Sequence, residues 1–317
     1  MALPFPVLAD GVRHLRPRAW PIVMVHFLTG AVVAHGAARV ARDWQTFLFA
    51  AIVWAVGLNG GTLALNSAFD RDEGDVGYLD RPPPARWWLA PFALLFLVGG
   101  QVVAVLFGTK FAAAYAVCFL MSILYSVPPF RWKRLAGVDL AINCFGYGLW
   151  TFLAGAMVPA LALHRLMTGV WESPREWLSL SLTLPERLGM PLLLVAVGFF
   201  FLFGALYPLT QLYQVEEDKR RGDRTLALWI GPRRSVLFAL GCAVVAHAAF
   251  LAGLILAQRL AAGKIGLIPS FLCWSILLLL WYKDFQRYPH QRGMYRALAA
   301  WAATNVTVLA LFGAPGT

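Results

Sequence analysis

Charged residues are scarce in this chain of 317 residues: Asp, Glu, Lys and Arg make up 14%, whereas 60% of the residues are hydrophobic. A soluble globular domain carries about 25% charged residues to cover its surface, so this composition excludes one. Cysteine is also rare, because the four cysteines are isolated and form no close pair of the kind that zinc and redox motifs require. The sequence therefore predicts an integral membrane protein without a disulfide or a zinc site.

Nine apolar windows have about the length needed to cross a hydrocarbon core of roughly 30 Å. They cover residues 20–38, 46–66, 87–108, 111–127, 137–160, 189–212, 233–258, 264–282 and 294–313. We expect one all-α polytopic membrane domain over residues 1–317, with nine transmembrane helices around a central cavity that opens to the cytoplasmic side or the membrane. Residues 1–19 would form a cytoplasmic N-terminal segment, and residues 161–188 an interfacial loop on the outer side.

The distribution of basic residues predicts the orientation of these helices. Of the 27 Lys and Arg residues, nineteen lie at the N-terminus and after helices 2, 4, 6 and 8, and eight lie on the opposite side. Because cytoplasmic loops carry the excess of Lys and Arg, we expect a cytoplasmic N-terminus, an external C-terminus and a bacterial or archaeal inner membrane. The net charge of +11 then reflects membrane topology and contact with anionic lipid headgroups rather than nucleic acid.

Acidic residues number only sixteen, yet eight of them lie in two short segments, 70–75 and 216–223. Each segment follows a predicted helix, and the pattern recurs after four helices. This spacing suggests a tandem duplication, in which two parallel repeats would bring the acidic clusters to matching positions around the central cavity.

The spacing of polar residues within each cluster indicates a metal site. Residues three, four and seven apart share one helix face, and carboxylate and amide oxygens suit Mg²⁺, which also binds substrate phosphates. The first cluster follows helix 2, and we expect the second at the end of helix 6. The predicted metal ligands are Asn66, Asp70, Glu73, Gln214, Glu217 and Asp218.

Basic residues near the predicted metal site could neutralise a diphosphate, since Arg makes bidentate contacts and Lys acts as a point charge. The candidates are Lys133 and Arg134 after helix 4, and Lys219 and Arg224 after helix 6. Membrane topology alone also accounts for basic residues at these places, so both interpretations stay open.

A third group, near the start of helix 5, could bind an acceptor. Asp139 and Asn143 lie four residues apart, and with Tyr125 they could orient or deprotonate an acceptor molecule. Alternatively, Asp139 merely favours a helix N-terminus.

The acidic segments resemble the motifs of the UbiA-type intramembrane prenyltransferases, nine-helix proteins with an NDxxDxxxD-like motif after helix 2 and a DxxxD-like motif after helix 6. NSAFDRDEGD supplies Asn66 and Asp70 at the family's positions. LYSVPPFRWKR, residues 124–134, resembles the family's Tyr-containing basic loop. The resemblance covers essentially the whole chain. QVEEDKRRGDRTLALWIG matches a DxxxDxxxGxxTL pattern through Asp218, Gly222, Thr225 and Leu226.

The chain departs from the family pattern at three positions. Ser67 replaces the usual second Asp, Gly74 stands at the last Asp of the first motif, and Gln214 stands at the first Asp of the second. Gln214 still offers a neutral carbonyl oxygen. Acidic neighbours that could substitute are Asp72, Glu73, Asp75, Glu216 and Glu217.

The resemblance implies Mg²⁺-dependent transfer of a prenyl group from an isoprenyl diphosphate to a lipophilic, electron-rich acceptor, with Asp70, Asp218 and Asp139 as catalytic residues. A transporter is the main alternative, although it would place its binding groups near the midplane. A lipid phosphotransferase is disfavoured because a DGxxAR-type sequence is absent, and a non-catalytic binder stays open because of Gln214.

Overall fold

The protein's structure is a computed structural model that describes residues 5–71, 74–159, 161–168 and 189–313. Its described part is almost entirely helical and contains no β-sheet, only an isolated bridge between Val76 and Leu79. Most of the outer loop predicted for residues 161–188 lies outside the described ranges, apart from one short helix at its start.

Sixteen α-helices are described. In chain order they are α1 Phe5–His14, α2 Trp20–His35, α3 Ala37–Arg42, α4 Trp44–Ile52, α5 Gly61–Asp70, α6 Leu89–Phe107, α7 Thr109–Ser126, α8 Val138–Asn143, α9 Thr151–Ala156, α10 Ala162–Thr168, α11 Gly189–Gln211, α12 Val215–Arg221, α13 Leu226–Ile230, α14 Pro232–Leu256, α15 Leu260–Lys283 and α16 His290–Gly313. A π-helical segment, Val53–Gly60, joins α4 to α5, and another, Cys144–Trp150, joins α8 to α9.

Eight of the described helical stretches are long and apolar enough to cross a membrane. They correspond to eight of the nine predicted windows, with α4 and α5 joined through their π segment. The remaining window, 137–160, matches the consecutive segments α8, Cys144–Trp150 and α9, which are not among the eight. The all-α, multi-pass prediction is confirmed, while the count of nine transmembrane helices stays a prediction.

The chain divides into two compact units. The first comprises Met1–Leu28, Arg42–Arg131 and Met157–Thr183, and the second comprises Thr29–Ala41, Trp132–Ala156 and Leu184–Thr317. The first acidic motif and the end of α7 therefore belong to one unit. The start of α8 and the second acidic motif belong to the other.

An aromatic cluster forms the interior of the first unit. Trp54 in the π segment packs against Phe27 and Phe111, with ring centroids 5.8 and 6.0 Å apart, and against the edge of Tyr115 at 6.0 Å. All four rings are buried. Gly100 of α6 permits this packing, because a Cβ there would collide with the Tyr115 hydroxyl. Such contacts fix the π segment that leads into α5, the helix of the first motif, against α6 and α7.

The second unit combines aromatic packing with a buried polar network. Phe199 of α11 packs against Phe250 of α14 at a centroid distance of 4.9 Å. Nearby, His247 bonds the Ala243 carbonyl at 2.8 Å and the Ser270 hydroxyl at 3.0 Å. Polar side chains inside helix bundles commonly bond across helices in this way. These contacts hold α11, whose C-terminus precedes the second motif.

Candidate functional site

The first motif lies on the last turns of α5, where Asn66 contacts the end of α7 and Asp70 contacts Arg131 in the segment that follows α7. The Asn66 Oδ1 atom accepts a hydrogen bond from the Ser126 hydroxyl at 3.3 Å. The Asp70 Oδ1 atom lies 3.4 Å from Nη2 of Arg131, and these two side chains are 10% and 21% exposed. The spacing of four residues thus places an amide and a carboxylate on one helix face, as predicted. Tyr125 lies half-buried in the last turn of α7 in the same unit.

Helix α5 ends at Asp70, the second of the predicted ligands. Arg71 adopts a left-handed conformation with φ of 53°, and its N–H bonds the Ser67 carbonyl. A left-handed residue after the last turn is a common helix stop. The predicted helical alignment therefore holds for Asn66 and Asp70, and Glu73 lies outside the described residues.

Arg16 is a second basic residue at the first motif that the sequence analysis assigned only to membrane topology. It is buried, and its guanidinium donates to the Ser67 hydroxyl at 3.3 Å and to the Gly77 carbonyl at 3.1 Å. Ser67 is the position where the family pattern has an acidic residue. A cation therefore lies beside that position, although nothing in the local sequence around Arg16 indicates this contact.

The second motif lies on a short helix of its own, α12. The prediction that it lies at the end of the sixth long helix is therefore wrong. Helix α11 ends at Gln211, and Gln214 is the N-cap residue of α12. The Gln214 carbonyl accepts hydrogen bonds from the N–H groups of Glu217 at 3.0 Å and Asp218 at 2.9 Å. All three predicted ligands thus belong to the first turn of α12, where carboxylates also favour the positive end of the helix dipole. Asp218 is buried, whereas Gln214 and Glu217 are half-buried.

Gly222 ends α12 in a Schellman arrangement. Its φ is +71°, its N–H bonds the Lys219 carbonyl at 3.1 Å, and the Asp223 N–H bonds the Asp218 carbonyl at 3.0 Å. This pair of hydrogen bonds requires a left-handed residue, which glycine adopts without steric penalty. The glycine of the motif therefore has a backbone role that places Asp223 directly after the helix.

The basic candidates fall into different environments. Arg134 lies 3.1 Å from the Asp223 carboxylate, a residue that the sequence analysis had not selected. Lys133 is buried, whereas Arg224 is exposed. Lys219 donates to Glu216 at 2.8 Å, and this hydrogen bond lowers the pKa of the Glu216 carboxyl. That pair is exposed, so we expect it to contribute little to stability.

Asp139 and Asn143 are both buried at the start of α8. The Asn143 amide donates to the Asp139 carbonyl at 2.8 Å, a bond within the helix. The Asp139 carboxylate accepts hydrogen bonds from the Gly137 N–H and from the side chain of Gln211, each at 2.9 Å. Gln211 is a further residue that the sequence analysis did not select, because a polar residue at a helix end has no distinctive pattern.

The donor set suits Mg²⁺ by its chemistry. Asn66, Asp70, Gln214, Glu217 and Asp218 supply hard oxygen atoms only, and Mg²⁺ usually takes one or two protein carboxylates together with water and substrate phosphates. Within the part of the chain that the structure describes, no three His, Cys, Asp or Glu side chains are grouped closely enough to hold a metal by themselves. The oxygen atoms of each motif are therefore of the kind that suits an ion which also binds water and substrate phosphates.

A cavity of about 440 Å³ lies in the first unit, between the end of α5 and the start of α6. Phe69 and Arg71 line one side and Arg86 and Trp87 the other. Asn66 and Asp70 are not among its lining residues, so it is distinct from the motif face. The predicted central cavity stays a prediction.

Residues 23–303 match the model of the UbiA prenyltransferase family. The chain belongs to the UbiA prenyltransferase family. The resemblance inferred from the two motifs is therefore confirmed, and so is the prediction of a prenyl-transferring enzyme.

Two curated relatives are similar over about three quarters of this UbiA chain. The lycopene elongase/hydratase of Haloferax volcanii is 27% identical over 247 residues, which cover 75% of this chain and 70% of that protein. The probable homogentisate phytyltransferase 2, chloroplastic, of Oryza sativa subsp. japonica is 25% identical over 264 residues, which cover 77% of this chain and 64% of that protein.

Two solved structures share the fold. A UbiA homologue from Archaeoglobus fulgidus bound to DMAPP and Mg²⁺ is 18% identical, with a TM-score of 0.63 over 95% of this chain and 99% of that one. An apo UbiA homologue from Aeropyrum pernix K1 is 16% identical, with a TM-score of 0.62 over 91% of this chain and 96% of that one. At this identity the likeness establishes the fold of the UbiA chain and nothing finer.

Proposed function

We propose that this UbiA-family protein transfers a prenyl group from an isoprenyl diphosphate to a lipophilic, electron-rich aromatic acceptor of the quinone-precursor type, in a Mg²⁺-dependent reaction. The observation that carries the proposal is the pairing of Asp70 with Arg131 beside Asn66. It combines hard oxygen ligands with a guanidinium, the two kinds of group that a metal-bound diphosphate needs. The Archaeoglobus fulgidus homologue bound to DMAPP and Mg²⁺ supports this choice of donor and metal.

We propose that the metal ligands are Asn66 and Asp70 in the first unit and Gln214, Glu217 and Asp218 in the second. When bound, Mg²⁺ would act as a Lewis acid toward the diphosphate oxygens. Glu73 keeps its place among the candidates from the sequence alone. Lys133, Arg134, Lys219 and Arg224 remain candidate diphosphate contacts, to which the structure adds Arg131 because of its position beside Asp70.

The reaction breaks the bond between C1 of the allylic group and the diphosphate oxygen, and the diphosphate leaves with the electron pair. The basic side chains hold that negative charge, which lowers the free energy of the transition state. C1 then bonds to an electron-rich carbon of the acceptor, which loses a proton. Apolar and aromatic helix faces would shield the allylic cation from water and hold its tail.

The names of the two relatives guide the choice of acceptor. One relative is named for lycopene and the other for homogentisate, so both molecules belong in an acceptor panel. Tyr125 and Asn143 remain candidate acceptor-binding residues.

For localisation we propose a multi-pass protein of a bacterial or archaeal inner membrane with a cytoplasmic N-terminus, because of the distribution of Lys and Arg.

The decisive experiment measures Mg²⁺-dependent release of diphosphate by the purified protein. Prenyl donors from C10 to C20 and longer are incubated with homogentisate, lycopene or a membrane lipid extract, and products are identified by mass spectrometry. We expect a prenylated product that is lost on chelation of Mg²⁺ and reduced at least about 100-fold by Asp70→Asn or Asp218→Asn, since removing one electrostatic group commonly has that effect.

Asp80→Asn is the matched control, because Asp80 pairs with Arg18 on the surface of the same unit as Asp70. This variant should keep the wild-type rate. Mg²⁺-dependent donor binding without turnover of any donor would instead identify a non-catalytic binder. Transport of the donor across liposomes without product would restore the transporter hypothesis.

A further inference from the structure

Asp139 has the most enclosed carboxylate among the described residues that the sequence selected, because the residue is 0% exposed. Both of its oxygen atoms accept hydrogen bonds: Oδ1 from the Gly137 N–H and Oδ2 from Nε2 of Gln211, each at 2.9 Å. A buried carboxylate is tolerated when hydrogen bonds satisfy it in this way. Its environment is therefore that of a structural anchor.

Gln211 transmits this anchoring to another part of the second unit. Its Oε1 atom accepts a hydrogen bond from the Ala227 N–H at 3.0 Å. The amide orientation is determined by chemistry, because the reverse orientation would oppose two donors at Ala227 and two acceptors at Asp139. Asp139, Gln211 and Ala227 thus form a relay in which every donor meets an acceptor.

The relay ends on the first turn of α13. Ala227 is the second residue of that helix, and the N–H groups of a first turn have no partner within their own helix. The Thr225 hydroxyl, at the N-cap position, makes no cap hydrogen bond. The side chain of Gln211 therefore supplies the cap, and the segment from Gly222 to Thr225 connects the capped helix to α12 with Asp218.

We propose that Asp139 is a positioning residue: acting through Gln211, it holds the start of α13 and with it the Gly222–Thr225 segment of the second motif. The proposal rests on the proposed function, because that function gives the second motif its role in binding the donor. On this proposal Asp139 does not take the proton from the acceptor molecule, which was the role considered from the sequence. Its carboxylate serves instead as the hydrogen-bond acceptor of the relay.

Exchanging the two side-chain types tests the relay. Asp139→Asn alone would set two amide donors against each other, and Gln211→Glu alone would set two carboxylates against each other. The double variant Asp139→Asn/Gln211→Glu restores complementarity, since the new Asn amide donates to the new Glu, whose other oxygen accepts from Ala227. Total charge and side-chain size are preserved, and Asp80→Asn serves as the control for a change from Asp to Asn.

Two readouts are measured on all of these proteins. Hydrogen exchange over residues 222–230 reports the position of the segment and does not depend on turnover. We expect exchange there to be roughly tenfold faster in each single variant, as for the loss of a buried hydrogen bond, and near wild type in the double variant. Donor kcat/KM should fall at least about tenfold in the single variants and return to within about threefold in the double variant.

The possible outcomes separate the hypotheses. If the double variant regains slow exchange but stays as inactive as Asp139→Asn, the carboxylate itself takes part in the reaction, and the positioning role is overturned. Unchanged exchange in Asp139→Asn also overturns it. If the single variants do not fold, a double variant that folds supports the relay and one that does not fold contradicts it. An inactive wild-type protein would refute the proposed function, while the exchange data would still decide the relay.

Discussion

Arg131 and Asp70 form a partly buried ion pair, with 3.4 Å between Nη2 and Oδ1 and with 21% and 10% of the two side chains exposed. The same unit contains an exposed counterpart, Arg18 with Asp80, at 2.9 Å and with 64% and 55% exposed. Exposed pairs contribute little because solvent screens them, whereas removing one partner of a shielded pair leaves an uncompensated charge. The two pairs therefore provide a test and its control.

Arg131→Gln should reduce kcat/KM for the prenyl donor at least about tenfold, because it removes a guanidinium from beside a predicted metal ligand. Arg131→Lys should retain part of the activity, since it keeps the charge but loses the planar fork. Arg18→Gln should be indistinguishable from wild type. Steady-state kinetics with a geranyl donor checks this, and equal values for Arg131→Gln and Arg18→Gln would remove Arg131 from the site.

Gln214→Asp should lower the Mg²⁺ concentration needed for half-maximal activity, because it adds a carboxylate at the position where the family pattern has one. The fold should tolerate the change, because position 214 is the N-cap of α12 and Asp is a preferred N-cap residue. A Mg²⁺ titration of turnover measures the shift. An unchanged titration would leave Glu217 as the better ligand candidate on α12.

Gly222→Ala should destabilise the end of α12 by about 1 kcal/mol, because the residue has φ of +71° in a Schellman motif. Apart from the neighbouring backbone, no atom of the described residues lies within 4 Å of the Cβ that would be added, so the penalty is conformational and not steric. Gly241→Ala is the control: its Cβ would also meet open space, yet Gly241 lies inside α14, where Ala is favoured. Thermal unfolding in detergent should show a lower midpoint for the first variant only.

Thr225→Val should raise the unfolding temperature or leave it no lower than wild type, because the buried Thr225 hydroxyl makes no hydrogen bond with the described residues. An unsatisfied buried hydroxyl carries a desolvation penalty of about 1–3 kcal/mol, so we expect the group to have a role in binding. We predict a fall of about fivefold in kcat/KM for Thr225→Val and near-normal activity for Thr225→Ser. Full activity of Thr225→Val would exclude substrate contact by this hydroxyl.

Local patterns predicted the positions of the long helices closely. The predicted window 189–212 corresponds to the helix Gly189–Gln211, and the window 233–258 corresponds to the helix Pro232–Leu256. Such agreement is expected, because the length of an apolar run and the spacing of four between Asn66 and Asp70 are properties of the chain alone.

Composition, apolar periodicity and motif spacing were enough to predict an all-helical membrane protein with two oxygen-rich motifs that resembles the UbiA prenyltransferases. Which side chains meet depended on the folding of the whole chain. Asp139 meets Gln211, 72 residues away along the chain, and Asp70 meets Arg131, 61 residues away. Such choices depend on hydrogen bonds between distant segments, and a local pattern carries no information about a partner that folding alone brings near.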